Sequence, residues 1–142
     1  MFKRKGFTIL ELLIVIAVIA ILVGIALPRF KGMQDEGNIA KAKGELRMLQ
    51  TAVESYKIHY GALPVALSNT TTAVPQIAPT TLPTDPFGGA AYGYTVAGDY
   101  YIIYSKGPGT TAGVGSITSA GVASDTNSCI YVTNGSPVDT TP

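Results

Sequence analysis

The chain has 142 residues, enough for one domain of ordinary size, and a formal net charge of +1 at neutral pH. Nine of its ten basic residues precede residue 60, and the remainder is weakly acidic and rich in Thr, Ser, Gly and Ala. This charge distribution favours an exported, solvated surface over a nucleic-acid face, and the single cysteine, Cys129, excludes an intramolecular disulfide.

A basic leader precedes a long apolar stretch at the start of the chain. Lys3, Arg4 and Lys5 come before residues 7–28, where Glu11 is the one charged residue. About 20 apolar residues form a helix of about 30 Å, which is enough to cross a bilayer. A cleaved secretory signal or a plain signal anchor also has this pattern. The run is long for a cleaved signal and lacks its small-residue cleavage site, whereas a plain anchor leaves Glu11 unexplained.

Glu11 is the unusual residue of the apolar stretch. An ionised side chain in a hydrocarbon segment is costly unless it has a partner. If the leader were cut after Gly6, Phe7 would carry an α-amino charge one helical turn from Glu11. The same amine on a neighbouring chain would also be a partner, and this pairing would favour assembly in the membrane.

Residues 5–12, Lys-Gly-Phe-Thr-Ile-Leu-Glu-Leu, resemble the prepilin processing motif of type IV pilins and type II secretion pseudopilins. The resemblance implies that a dedicated peptidase cuts after Gly6 and N-methylates Phe7. It also implies that Glu11 sets the register with Phe7 of a neighbour, and that the helix around Pro28 can lose helicity when subunits pack.

Pro28 has no amide proton and is predicted to kink or locally open the helix. Helical periodicity then resumes, with Asp35 and Glu36 interpreted as charges at the start of the second helical part. We expect Gly61 to end this part. One face is predicted to dock on a sheet because its apolar and aromatic residues recur in steps of three and four: Ile39, Ala42, Leu46, Leu49, Val53, Tyr56 and Tyr60. The opposite face is predicted to carry Lys41, Lys43, Glu45, Arg47 and Glu54.

The rest of the chain predicts a small antiparallel sheet. Residues 65–84 are interpreted as a surface loop, and residues 85–89 as a turn. Two aromatic and β-branched runs, 92–96 and 99–105, predict a hairpin joined by Ala97-Gly98. Residues 110–128 are interpreted as a long loop of small residues. Residues 129–132 are predicted to form a last strand, in which Cys129 is a small buried residue.

Residues 82–88, Leu-Pro-Thr-Asp-Pro-Phe-Gly, and 104–109, Tyr-Ser-Lys-Gly-Pro-Gly, resemble the core of the major, G-type pseudopilin of type II secretion. The next loop of that family is usually rich in Asp and binds Ca²⁺, an ion that takes about six to eight oxygen ligands. Between Gly107 and Ser128 this chain has one carboxylate, Asp125. The sequence therefore predicts at most a weak Ca²⁺ site and no other cofactor.

The sequence contains no recognisable catalytic pattern. His59 has no arrangement of Cys, Asp or Ser around it and is expected at the surface or at a helix end. There is no phosphate-binding loop, metal cluster or nucleophile with its base, so we expect no enzyme. Asn69-Thr-Thr and Asn134-Gly-Ser match the glycosylation acceptor pattern, which is short enough to occur by chance.

These observations predict an α+β fold of the type IV pilin kind, in which a long N-terminal helix packs against a small antiparallel sheet. The expected organisation is a leader (1–6), a transmembrane or filament-core helix (7–28), an amphipathic helix (29–61) and a globular region (62–142). We expect a single-pass inner-membrane protein with a periplasmic C-terminal domain, and its assembly into a periplasmic or extracellular filament.

The resemblance implies a structural subunit of a pseudopilus that drives type II secretion across the outer membrane. Its implied partners are further copies in a helical filament, the prepilin peptidase, minor pseudopilins, the inner-membrane assembly platform and the membrane itself. No nucleic-acid partner is expected. Two alternatives stay open: the major subunit of a true type IV pilus for motility, adhesion or DNA uptake, and a non-polymerising signal-anchored binding domain.

Overall fold

The structure is a computed structural model that describes residues 6–73, 81–108, 115–124 and 129–136. It contains two compact units, residues 1–36 and 37–142. The first long helix, α1, covers Ile9–Tyr60 (52 residues) and contributes to both units. In the first unit none of the described residues is buried.

The helix α1 is uninterrupted at Pro28. The helix does not open at this residue, so of the two predicted alternatives the kink remains and stays a prediction. Proline removes one backbone hydrogen bond, and helical turns on both sides hold the backbone through the gap. The interpretation of Asp35 and Glu36 as charges at a helix start is wrong, since both lie in the middle of α1.

In the second unit, α2 covers Ser68–Ala73, and five short strands follow. Strands β1 (Gly93–Ala97), β2 (Tyr100–Ser105) and β5 (Ile130–Thr133) form an antiparallel sheet in the order β1-β2-β5. Strands β3 (Ser116–Ile117) and β4 (Ala123–Ser124) form a separate antiparallel pair. The predicted α+β class, a long helix packed against a small antiparallel sheet, is confirmed.

The predicted hairpin is confirmed with a shift of one residue in its turn. Ala97 pairs with Tyr100, so Gly98 and Asp99 make the connection. Gly98 has a φ of 61°, a conformation that glycine adopts without steric cost. The predicted end of α1 is also confirmed, because the Gly61 N–H donates to the Lys57 carbonyl at 2.8 Å and Gly61 has a φ of 75°.

The core of the second unit lies between α1 and the sheet. The centre of the predicted stripe is buried and consists of Ala42, Leu46, Leu49 and Val53, which confirms the docking face. These side chains pack with residues of β2 and of the segments before the sheet: Leu67, Tyr92, Tyr101 and Ile103. Tyr60, at the end of the stripe, is 49% exposed. Glu45 and Glu54 were expected on the opposite, solvated face, and this prediction is wrong. They flank the stripe, and their carboxylates accept hydrogen bonds from tyrosines of the sheet region.

Two segments expected to be loops contain regular structure. Residues 65–84 include α2, whose Thr70 is buried and donates its hydroxyl to the Leu67 carbonyl at 2.6 Å. Residues 110–128 include β3 and β4, although residues 109–114 and 125–128 lie outside the described residues. The last strand is confirmed at Ile130–Thr133. Cys129 precedes that strand and is half-buried, so its prediction as a buried strand residue is wrong.

Candidate functional site

The Gly6–Phe7 bond lies just before the first turn of α1. Residues 6–8 are not helical, the helix begins at Ile9, and the Phe7 side chain is 77% exposed. This bond is therefore in exposed, non-helical backbone, which a peptidase can reach. Cleavage of this bond would create an α-amino group on Phe7.

Glu11 and Thr8 form a reciprocal cap on the first turn of α1. The Thr8 Oγ1 accepts from the Glu11 N–H at 3.2 Å, and the Glu11 Oε2 accepts from the Thr8 N–H at 3.1 Å. The Thr8 hydroxyl also donates to the same Oε2 at 3.0 Å. This is a capping box, in which two backbone N–H groups at the helix start gain partners. One carboxylate oxygen, Oε2, is thus fixed on Thr8, and no hydrogen bond to Oε1 is formed within the described residues.

The capping role of Thr8 was not anticipated from the sequence. The signal was present, because threonine followed three residues later by glutamate at the start of an apolar run is the signature of a capping box. Pro28, the third residue predicted to act in assembly, lies 17 positions beyond Glu11 along α1, and the structure does not bring it together with Gly6, Phe7 and Glu11.

Among the described residues, the large apolar side chains of α1 in the first unit are all exposed. Helix α1 contains a stretch long and apolar enough to cross a membrane, and none of that stretch is buried. Large aliphatic side chains lie on all sides of it and are 45 to 64% exposed, among them Leu12, Leu13, Ile14, Val15, Ile21 and Leu22. A helix that is apolar all round is suited to a membrane or to a bundle of like helices.

In the second unit, Asp85 joins the turn before the hairpin to the end of β2. Its Oδ1 accepts from the Phe87 N–H at 3.0 Å and from the Ser105 hydroxyl at 2.8 Å, and its Oδ2 accepts from the Lys106 N–H at 2.8 Å. The side chain is buried at 3% exposure. The two halves of the G-type resemblance, residues 82–88 and 104–109, therefore meet at one carboxylate.

Three tyrosine hydroxyls join the sheet region to α1 and the chain that follows it. Tyr92 donates to Glu45, Tyr101 donates to Glu54 at 2.7 Å, and Tyr94 donates to the Pro64 carbonyl at 2.8 Å. Burial, reinforced by the charge of Glu54, raises the pKa of Tyr94 to about 12. Burial and the hydrogen-bonded glutamates also raise the pKa of Tyr92 and the pKa of Tyr101. These groups hold the fold together and have no catalytic arrangement.

The described residues include no group of three or more His, Cys, Asp or Glu that could hold a metal ion. Asp125, the predicted candidate for a Ca²⁺ ligand, lies outside the described residues. His59 is exposed in the last turn of α1, as expected.

Two family profiles match adjoining parts of the chain. The profile described as "Prokaryotic N-terminal methylation motif" matches residues 1–27. The profile described as "Type II secretion system (T2SS), protein G" matches residues 29–124. The chain belongs to the type II secretion system protein G family. It is thus a G-type pseudopilin by family, which confirms the resemblance found in residues 5–12, 82–88 and 104–109.

The relatives of this G-type pseudopilin include type IV pilins as well as type II secretion core proteins G. It is 48% identical over 61 residues to "Fimbrial protein EcpB" of Eikenella corrodens, covering 43% of this chain and 38% of that relative. It is 38% identical over 74 residues to "Type IV major alpha-pilin" of Moraxella bovis, covering 52% of this chain and 46% of that relative. It is 30% identical over 80 residues to "Type II secretion system core protein G" of Aeromonas hydrophila, covering 52% of this chain and 56% of that relative. These matches span about half or less of the relatives' lengths. No solved structure matches the chain.

Proposed function

We propose that this chain is a structural subunit that polymerises into a pseudopilus driving type II protein secretion across the outer membrane. The observation that carries the proposal is the solvent-exposed apolar surface of α1 in the first unit, with Glu11 fixed at its start. Such a surface is unfavourable in water and needs a membrane, other helices or both. Family membership supports the choice of a pseudopilus.

Processing would create the charge that Glu11 needs. Cleavage after Gly6 gives Phe7 a positive α-amino group, which N-methylation leaves charged. The Thr8 cap holds Oε2 of Glu11 and leaves Oε1 available to the amine of a neighbouring subunit. This pairing would set the register of neighbours, with Pro28 marking the part of α1 that adapts during packing. The proposed partners are further copies, the prepilin peptidase, minor pseudopilins and the assembly platform.

The proposed location follows from the basic leader and the apolar helix. Lys3, Arg4 and Lys5 favour a cytoplasmic leader, and the apolar part of α1 then crosses the inner membrane. This orientation puts the second unit in the periplasm, where it joins a periplasmic or extracellular filament.

A second candidate is the major subunit of a type IV pilus, which the 48% identity to a fimbrial protein favours. That match covers 43% of the chain, whereas the protein G profile extends over residues 29–124 and into the sheet region. Deletion of the gene separates the two candidates. Loss of secretin-dependent protein export supports the pseudopilus, and loss of retractile surface fibres with normal export would support the pilus.

The test of polymerisation compares Glu11→Ala with Glu36→Ala, which removes an exposed carboxylate elsewhere on α1. Glu11→Ala leaves the Phe7 amine of a neighbour without its proposed partner, and an unpaired charge among packed apolar helices opposes assembly. We expect membrane-inserted monomer but no filaments from Glu11→Ala, and normal filaments from Glu36→Ala, by electron microscopy and membrane fractionation.

Mass spectrometry of the mature protein checks the processing step. We expect an N-terminus at methylated Phe7, and any other start would remove the basis for the pairing with Glu11. Normal filaments from Glu11→Ala would contradict the assembly mechanism. A correctly processed chain that never forms filaments would favour a non-polymerising, signal-anchored domain.

A further inference from the structure

The family resemblance implies Ca²⁺ in the region after β2, and the donor chemistry of this chain does not fit that ion. Ca²⁺ binds about six to eight oxygens, with several carboxylates among them in tight sites. Asp125 is the one carboxylate between Gly107 and Ser128. Asp85, the buried carboxylate next to this region, already accepts hydrogen bonds on both of its oxygens from Phe87, Ser105 and Lys106.

In place of a metal, the segment Thr133–Ser136 ties together the hairpins of the second unit. The Asn134 side chain bridges the β1–β2 connection: its Oδ1 accepts from the Tyr101 N–H at 2.8 Å, and its Nδ2 donates to the Asp99 carbonyl at 2.8 Å. Thr133 adds a second link, because its hydroxyl donates to the Tyr101 carbonyl at 2.6 Å and accepts from the Gly135 N–H at 3.0 Å.

The same segment also holds the turn between β3 and β4. The Ser136 N–H donates to the Gly121 carbonyl at 2.9 Å, and the Ser136 carbonyl accepts from the Ala123 N–H at 3.4 Å. Gly135 lies so close to Gly121 that a side chain there would clash with the Gly121 carbonyl oxygen. The backbone groups of Ser136, Gly121 and Ala123 thus find their partners within the protein.

We infer that Thr133–Ser136 is a latch that closes the C-terminal region of this pseudopilin by hydrogen bonds alone, so that its stability does not depend on Ca²⁺. The latch joins two parts of the second unit: the β1–β2 turn with the adjoining start of strand β2, and the β3–β4 turn. It acts within one chain, so the inference goes beyond polymerisation and is tested on the monomer.

The first experiment measures thermal unfolding of the full chain in detergent. The near-ultraviolet circular dichroism of the tyrosines is the signal that reports unfolding. Samples contain either EGTA or about 10 mM Ca²⁺, ten times the weakest dissociation constant of extracellular Ca²⁺ modules. We expect the same melting temperature in both. A rise of about 5 °C or more with Ca²⁺ would overturn the inference, because a bound ion stabilises the folded state by mass action.

The second experiment tests the latch itself through Asn134→Ala, with Asp125→Asn as the matched control for the loop carboxylate. Asn134→Ala removes two hydrogen bonds, and we expect the melting temperature to fall by about 4–10 °C with no recovery in Ca²⁺. Asp125→Asn should change neither the melting temperature nor the response to Ca²⁺.

A second latch variant covers the case in which Asn134→Ala does not fold. Thr133→Val keeps the shape of the side chain but loses its hydroxyl, whereas Thr133→Ser keeps the hydroxyl. We expect Thr133→Val to melt below Thr133→Ser. Equal melting temperatures for that pair, or an unchanged Asn134→Ala, would show that the segment is not a latch.

Discussion

At the scale of single residues, the described contacts separate two kinds of carboxylate. Glu11 is held by a residue three positions away, in exposed surroundings. Asp85 is buried and receives donors from its own turn and from residues 20 and 21 positions away. Glu11 is thus capped locally and stays exposed, as the proposed pairing with a neighbouring subunit requires, whereas Asp85 is buried among partners within the fold.

We predict that Asp85→Asn destabilises the second unit by about 1–3 kcal/mol. The amide has nearly the shape of the carboxylate but one acceptor oxygen, so its NH₂ group must face an N–H or hydroxyl that now donates to Asp85. Urea unfolding followed by tyrosine circular dichroism measures the change. The matched control is Asp99→Asn on the exposed hairpin turn, with an expected change within about 0.5 kcal/mol. Equal losses from both variants would contradict a special role for Asp85.

These two residues also show what a sequence can predict at this scale. The cap of Glu11 by Thr8 is local, and its three-residue spacing is enough to identify it. For Asp85 the local half was identified, since Asp-Pro followed by glycines predicts a turn. Its bonds to Ser105 and Lys106 depend on the strand register that brings the end of β2 beside the turn, and spacing does not reveal that register.

At the scale of elements, α1 has two apolar regions with opposite environments. In the second unit a stripe of apolar side chains follows one face, and Ala42, Leu46, Leu49 and Val53 of this stripe are buried against the sheet. In the first unit they occupy all sides and are exposed. The difference follows from periodicity, because a stripe selects one packing partner whereas an all-round apolar surface accepts lipid or several neighbouring helices.

The same substitution on the two regions should therefore have different effects on folding. Leu46 is fully buried and Leu22 is 61% exposed. We predict that Leu46→Ala lowers the free energy of unfolding of the second unit by about 2–5 kcal/mol, through lost apolar contacts and a cavity. Leu22→Ala should leave that free energy unchanged. Denaturant unfolding in detergent measures both variants, and a similar loss from Leu22→Ala would show that the two regions do not differ in this way.

Sequence patterns anticipated the long, strongly periodic elements better than the short ones. The stripe on α1 and the aromatic hairpin were predicted because their periods repeat over several turns or residues. Helix α2 has six residues of sequence Ser-Asn-Thr-Thr-Thr-Ala, and strands β3 and β4 have two residues each. Such elements are stabilised by tertiary contacts more than by intrinsic propensity, as the backbone links from Ser136 to Gly121 and Ala123 illustrate.

At the scale of the whole molecule, the described core and the surface proposed for assembly lie in different units. All the described buried apolar residues belong to the second unit, between Ala42 and Ala123. The first unit contributes no buried residue among those described, and its apolar surface is what the proposed filament would cover. The stability of the isolated chain should therefore depend on the core of the second unit and on the polar joints around it.

The hydrogen-bonded tyrosines around that core, Tyr92, Tyr94 and Tyr101, make the stability of the fold depend on pH in the alkaline range. The folded-state pKa of Tyr94 is raised to about 12, and the pKa of Tyr92 and the pKa of Tyr101 are also raised, so folding favours the protonated phenols. The stability that these phenols contribute is complete below their unfolded pKa of about 10, and it is lost as the pH rises towards their folded pKa. Over that range each tyrosine lowers the folding equilibrium constant by at most about tenfold per pH unit.

We predict that the urea midpoint of the wild-type chain falls steeply between about pH 10 and about pH 12. Tyr94→Phe is the matched variant, because it keeps the ring and removes the hydroxyl that donates to the Pro64 carbonyl. Its midpoint should be lower than that of the wild type near neutral pH, since one hydrogen bond is lost. Its further fall above pH 10 should be shallower, because one fewer phenol must lose its proton. If the two slopes are the same, Tyr94 is not among the groups that couple the fold to pH.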